Sequence, residues 1–225
     1  MQDLNWRNTD QFLMPVSKEV SAKRMYDLYP TLKIEDGKVQ EGFESLALQL
    51  KDEKQLVIDG YIGVFFNDFR ENLDAEFRKL GKKASWQSVD EALRPEELID
   101  QMIEPFLGGD DPIFGKRTTL QLADFYEAAK RQSMKPEPQA DISILLGCGA
   151  TLAGWNGLFL YIDLPKNELQ FRARAMAATN LGASQPIDIK HMYKRYYFID
   201  WVVLNRYKQQ ILSTIDIIVD GQRPD

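Results

Sequence analysis

Residues 57–68, VIDGYIGVFFND, decide how the rest of the chain is read. A β run of Leu56, Val57 and Ile58 ends in Asp59 and Gly60. A helix follows from about Asn67, with Phe69, Leu73, Phe77 and Leu80 recurring at helical spacing. Strand, glycine turn and helix are the parts of a phosphate-binding loop, G-x-x-x-x-G-K-[ST]. There the second glycine lets the backbone wrap the phosphates, the lysine meets their charge and the hydroxyl holds magnesium. Set against that motif, Gly60 is the first glycine, while Phe65, Phe66 and Asn67 stand where glycine, lysine and hydroxyl belong. Gly60 and Gly63 still allow a tight turn, and the amides opening the next helix still attract anions.

Outward from this stretch the chain alternates. QLVID, ISILLG, LFLYIDLP and IDIIVDG are apolar runs, and a shorter strand fits Ala84 to Ser88. Continuous apolar strands are those a parallel sheet covers on both faces. The expectation is an α/β fold, a three-layer, doubly wound, mainly parallel five-stranded sheet. Its strands fall near 55–59, 84–88, 142–147, 158–163 and 215–219. FESLALQL reads as a short helix, and Asp68 with Glu71 as a capping box for the helix after the turn, which Gly81 closes. Pro95 and Pro165 open two more helices. TTLQLADFYEAAKRQ fits strand or helix. Met192, Tyr196, Ile199, Val203, Tyr207 and Ile211 mark one face of a long final helix. TLKIEDGKV, with its Asp36-Gly37 turn, predicts a hairpin. Residues 1–50 then form an N-terminal extension packed on a main domain, 51–225.

Composition narrows the function. The 225 residues are 44% hydrophobic and carry a net charge of −6 without a run of five or six like charges, so no basic footprint for nucleic acid exists. MQDLNWRNTDQFLMP lacks the apolar core of a signal peptide, and no 18-residue apolar stretch occurs, which predicts a cytoplasmic protein that does not span a membrane. Cys148 is the single cysteine and His191 the single histidine, excluding an internal disulfide and a histidine-rich metal site. Cys148, between two glycines, reads as a small buried filler. Asp59 and Asp163 end strands at the carboxyl edge, where open α/β sheets place ligands, or else cap helices and order loops. Trp155, Trp201, Tyr196 and Tyr197 suit either a core or a sugar-stacking surface.

The order VIDGYIG, ADFYE, ISILLGCGATL, LYIDLPKNELQFRAR and IVDG resembles the P-loop kinase fold of the uridine kinase type. More closely, YDLYPTLKIEDGK, VIDGYIGVFFNDF, YIDLPKNELQFRARA, TNLGAS and MYKRYYFIDWVVLN look like the N-terminal, kinase-like region of certain bacterial class I mannose-6-phosphate isomerase chains. The resemblance implies that the 55–59 strand is central. It places Leu146 where many such kinases carry the carboxylate that organises magnesium, and Asp124 near the acceptor site. Arg172 and Arg174 stand in the region of lid arginines that clamp phosphate, with Lys194 and Arg195 adding charge on the last helix.

Both the phosphate loop and the magnesium acid thus lack their working groups. The sequence leads to a non-catalytic, pseudokinase-like accessory domain associated with mannose-6-phosphate isomerase. It would bind a sugar phosphate among Asp59, Gly60, Gly63, Asp124, Arg172, Arg174, Lys194 and Arg195, or regulate the isomerase. The alternatives are an atypical small-molecule kinase and a purely structural interaction module. No cofactor is expected in this chain, and zinc only with a downstream cupin isomerase domain.

Overall fold

The computed structural model describes residues 39–111 and 113–222. The hairpin expected over 31–39 lies, apart from Val39, outside the described residues. After helix α1 (Gly42–Leu50) comes the central strand β1 (Gln55–Gly60), then α2 (Phe66–Lys79), β2 (Ala84–Ser88), α3 (Glu96–Leu107) and α4 (Ala128–Ser133). Strands β3 (Ile142–Leu146) and β4 (Leu158–Asp163) follow, then α5 (Lys166–Arg174), α6 (Ile189–Arg195), α7 (Trp201–Ile211) and β5 (Ile217–Asp220). All four strand pairings are parallel and the order is β2-β3-β1-β4-β5. The five expected strands are found within two residues of their anticipated ends, with β1 in the middle.

The alternation of β1 explains the layers. Leu56 and Ile58 enter one core with Ala47, Leu50, Leu73 and Phe77 from α1 and α2. Val57 enters the other, with Ile99 and Ile103 of α3 and Val203 and Tyr207 of α7. Successive side chains of a strand point to opposite faces, so a strand apolar at every position needs cover on both. Phe43 of α1 packs edge-on against Phe69 of α2 at 5.2 Å, which ties α1 into the same layer.

Helix α2 ends as its sequence reads. Gly81 has φ +70°, and the amides of Lys82 and Gly81 reach the carbonyls of Phe77 and Arg78, a Schellman closure. Its start differs from expectation. The N-cap is Phe65, with no side-chain cap, so the Asp68–Glu71 capping box does not form. The chain enters the helix straight from the preceding turn, three residues ahead of Asp68.

The ambiguous stretch after residue 118 becomes a 3-10 turn, Leu122–Phe125, and the short α4. The long final helix is interrupted: Tyr196–Asp200 is a π-helical turn between α6 and α7. No helix among the described residues is long and apolar enough to cross a membrane.

Candidate functional site

Where a phosphate loop would wrap its ligand, the chain makes a four-residue turn instead. The Val64 amide donates to the Tyr61 carbonyl at 3.3 Å, and Gly63 adopts φ +85°, the conformation such a turn demands of its third residue. A side chain at Gly63 would stand 2.4 Å from Leu169 Cδ1. The ring of Phe66 folds back on Gly60, at 3.0 Å from where a Cβ would sit.

Arg172 of α5 seals this turn. It is 1% exposed; its Nη1 donates to the Gly63 carbonyl at 2.7 Å, its Nη2 to the Gly221 carbonyl at 2.8 Å, and its Nε to Glu168 at 3.1 Å. The guanidinium lies 4.1 Å from the centroid of the Phe65 ring. Gly63 and Arg172 therefore do meet, but through a carbonyl and its donor. A phosphate needs the opposite polarity from the loop.

The remaining candidates are also engaged. Asp59, fully buried, accepts from the amides of Gly60 (2.7 Å), Gly149 (2.8 Å) and Thr151 (3.0 Å), and from the hydroxyls of Thr151 and Tyr207. Burial pushes its carboxyl up, against the pull of these donors. Its work is to hold the 147–151 loop at the end of β3. Asp163 pairs with Lys208 at 2.6 Å.

Lys194 donates to the carbonyls of Gly109 (2.7 Å) and Asp111. Arg195 donates to the Leu181 carbonyl and sits beside Asp100 and Asp200. Both are buried cross-links of loops rather than a basic helix face. Arg174 reaches the Tyr193 hydroxyl at 3.1 Å and stacks on Phe171. Asp124 accepts from the Gln121 amide at 2.7 Å in the capping box of its 3-10 turn, and lines a separate open groove with Arg94 and Leu98. The eight residues do not converge on one ligand position.

A different cavity does open at the carboxyl edge. Beside the first turn of α2 and the ends of β2 and β3 lies a cleft of about 360 Å³. Val64, Phe65, Phe66 and Leu146 are its apolar lining, and Trp86 joins them with its indole N–H held by Asp74 at 2.9 Å. Asn67, Asp68 and Arg70 enter from α2, and Ser88, Asp90 and Glu91 from the end of β2 and the turn after it. Burial, reinforced by neighbouring Glu91, holds the Asp90 carboxyl above its usual range although the side chain still meets solvent.

Residues 42–225 match the family model described as a domain of unknown function, DUF8485. The chain belongs to the DUF8485 family. Among solved structures it is similar to a protein titled a putative fructose transport system kinase, from Silicibacter sp. TM1040, with a TM-score of 0.51 and 10% sequence identity. The match covers 80% of this chain and 99% of that one. At that identity the likeness is one of fold: the DUF8485 domain has a P-loop kinase-like fold with an all-parallel sheet. The sequence matches no curated protein.

Within that fold the donor set does not fit a magnesium nucleotide. Phe66, Asn67 and Leu146 stand for the lysine, hydroxyl and carboxylate, and Leu146 is 4% exposed. Among the described residues no group of three metal-ligating side chains gathers anywhere. Sequence reading missed the cleft because its walls come from three separate segments. The one local signal was Asp90-Glu91, two acids just beyond the end of a strand.

Proposed function

We propose that this DUF8485 domain is a non-catalytic, kinase-like module that recognises a small molecule in the cleft beside α2. The observation that carries the reading is the sealed turn: Arg172 holds the Gly63 carbonyl, and the Val64 amide is spent on Tyr61. Phosphoryl transfer relies on positioning and charge stabilisation around the phosphates, and here the parts that supply them are replaced. This argues against an atypical kinase. The cleft, lined by both polar and apolar side chains, favours ligand recognition over a purely structural module.

The association with a mannose-6-phosphate isomerase is supported by the resemblance of sequence phrases alone. His191, the single histidine, is engaged with Asp188 on the surface, so the zinc chemistry of an isomerase would have to come from another domain. For a sugar phosphate bound between the Gly60–Gly63 turn and Arg172, the guanidinium would first have to leave two carbonyls and a carboxylate.

Titration calorimetry with magnesium-ATP, and a phosphate-transfer assay with nucleosides and hexoses, test the reading. We expect no heat of binding and no transfer. A dissociation constant near 1 μM, about −8 kcal/mol, would overturn it.

A further inference from the structure

The ligand class of the cleft is written in its unpaired charges. Several carboxylates elsewhere are matched by cations: Asp74 by Arg78, Asp163 by Lys208, Glu168 by Arg172 and Asp200 by Arg195. In the cleft, Asp68, Asp90 and Glu91 have no cationic partner among the described residues, and Arg70 pairs with none of them. Three carboxylates against one guanidinium leave the cleft net negative, which repels phosphates. Burial, with Glu91 alongside, raises the cost of charge on Asp90, and a counter-charge there would relieve it. A bare metal ion is a poor fit, since no group of three ligating side chains gathers among the described residues. An aromatic side chain beside acids, over aliphatic and aromatic surface, is instead the chemistry that recognises an organic cation.

We propose that the cleft binds a small organic cation, an alkylammonium or amino-bearing metabolite, with its charge at Asp90 and Glu91 and its carbon skeleton on Trp86, Phe66 and Leu146. The volume, about 360 Å³, lies at the small end of ligand pockets, which span roughly 300–1,000 Å³, and sets the size of the guest. The proposal rests on the reading of the cleft as the ligand site of a non-catalytic module.

The test uses the full chain, with 1,4-diaminobutane and tetramethylammonium as probe cations. Sodium chloride of equal ionic strength, glucose and inorganic phosphate are the comparisons, read by thermal shift and calorimetry. At ten times its Kd a probe cation should raise Tm by about 3–5 °C. Asp90→Asn and Glu91→Gln should each weaken its binding about tenfold, and both side chains are exposed, so the fold does not depend on them. Stabilisation no larger than that of sodium chloride overturns the proposal. So does equal stabilisation of the Asp90→Asn/Glu91→Gln double variant, or a response to glucose or phosphate in place of the cations. The magnesium-ATP arm is separate. Nucleotide binding would overturn the non-catalytic reading and leave the cation result standing, and a silent cation series would leave that reading intact.

Discussion

The two flanks of the first turn of α2 treat charge in opposite ways. On the β4 flank Arg172 and Glu168 are 2% and 1% exposed at the side chain, paired with each other, and the guanidinium also holds the carbonyls of Gly63 and Gly221. On the β2 flank Asp68, Asp90 and Glu91 meet solvent and have no cationic partner among the described residues. The first flank is charge used as a fastener, and the second is charge left available. Residue type alone does not separate the two, since an arginine beside a glycine turn looks like a phosphate clamp until its partners are known. Pairing and burial separate them, because a buried ion is tolerated only when matched.

The largest effect should come from breaking the fastener. Arg172→Ala should lower unfolding stability by about 3–5 kcal/mol in urea melts, because it breaks a buried ion pair with Glu168 and removes the donor from the Gly63 and Gly221 carbonyls. Arg172→Ala with Glu168→Ala should be less destabilised than the sum of the single variants. Additive losses in that cycle would mean the pair is not coupled, and the contrast between the flanks would weaken.

Gly63→Ala should cost about 1–3 kcal/mol, since the new methyl would meet Leu169 at 2.4 Å on a backbone of positive φ. The same melts measure it. A neutral result would show that the turn has room to open, and that the seal is looser than its hydrogen bonds imply.

The smallest effect lies on the open flank and has the opposite sign. Because the folded protein holds the Asp90 carboxyl above its ordinary range, Asp90 contributes stability below the usual carboxylate pKa and loses it as pH rises through the raised value. Without ligand, Asp90→Asn should therefore melt higher than wild type at pH 7, with the gap closing as pH falls towards 4. Thermal melts across that range check it. A variant that melts lower at pH 7 would make Asp90 a structural acid like Asp59.

Much of the fold was legible from short stretches. β3 and β4 are apolar at nearly every position and β1 is apolar through Leu56, Val57 and Ile58, and such runs are stable only inside a covered parallel sheet. Gly81 ended its helix because it takes up a left-handed backbone readily. The final helix was read as continuous because the apolar spacing from Met192 to Ile211 runs straight through the π turn. That turn, flanked by Arg195 and ending in buried Asp200, answers to contacts with Asn180 and Leu181 that periodicity does not carry. The candidate site was less legible. Lys194 and Arg195 read as charge available on the last helix, yet their partners Gly109, Asp111 and Leu181 lie in distant loops.

By itself the sequence determined the strand set, the parallel α/β architecture and the departures from the phosphate-loop motif. Those depend on residue types at fixed local spacing: apolar runs, a glycine turn, and Phe65, Phe66, Asn67 and Leu146 where the chemistry needs other side chains. Tertiary structure alone decided that Arg172 closes the turn, that Asp59 ties a loop to β1, and that Trp86, Asp90 and Asn67 share a cleft. Arg172 and Gly63 are 109 residues apart in sequence, Tyr207 and Asp59 148. Hydrogen bonding and charge pairing act over a few ångströms of space, so which groups are spent and which stay free is settled only when the chain brings them together.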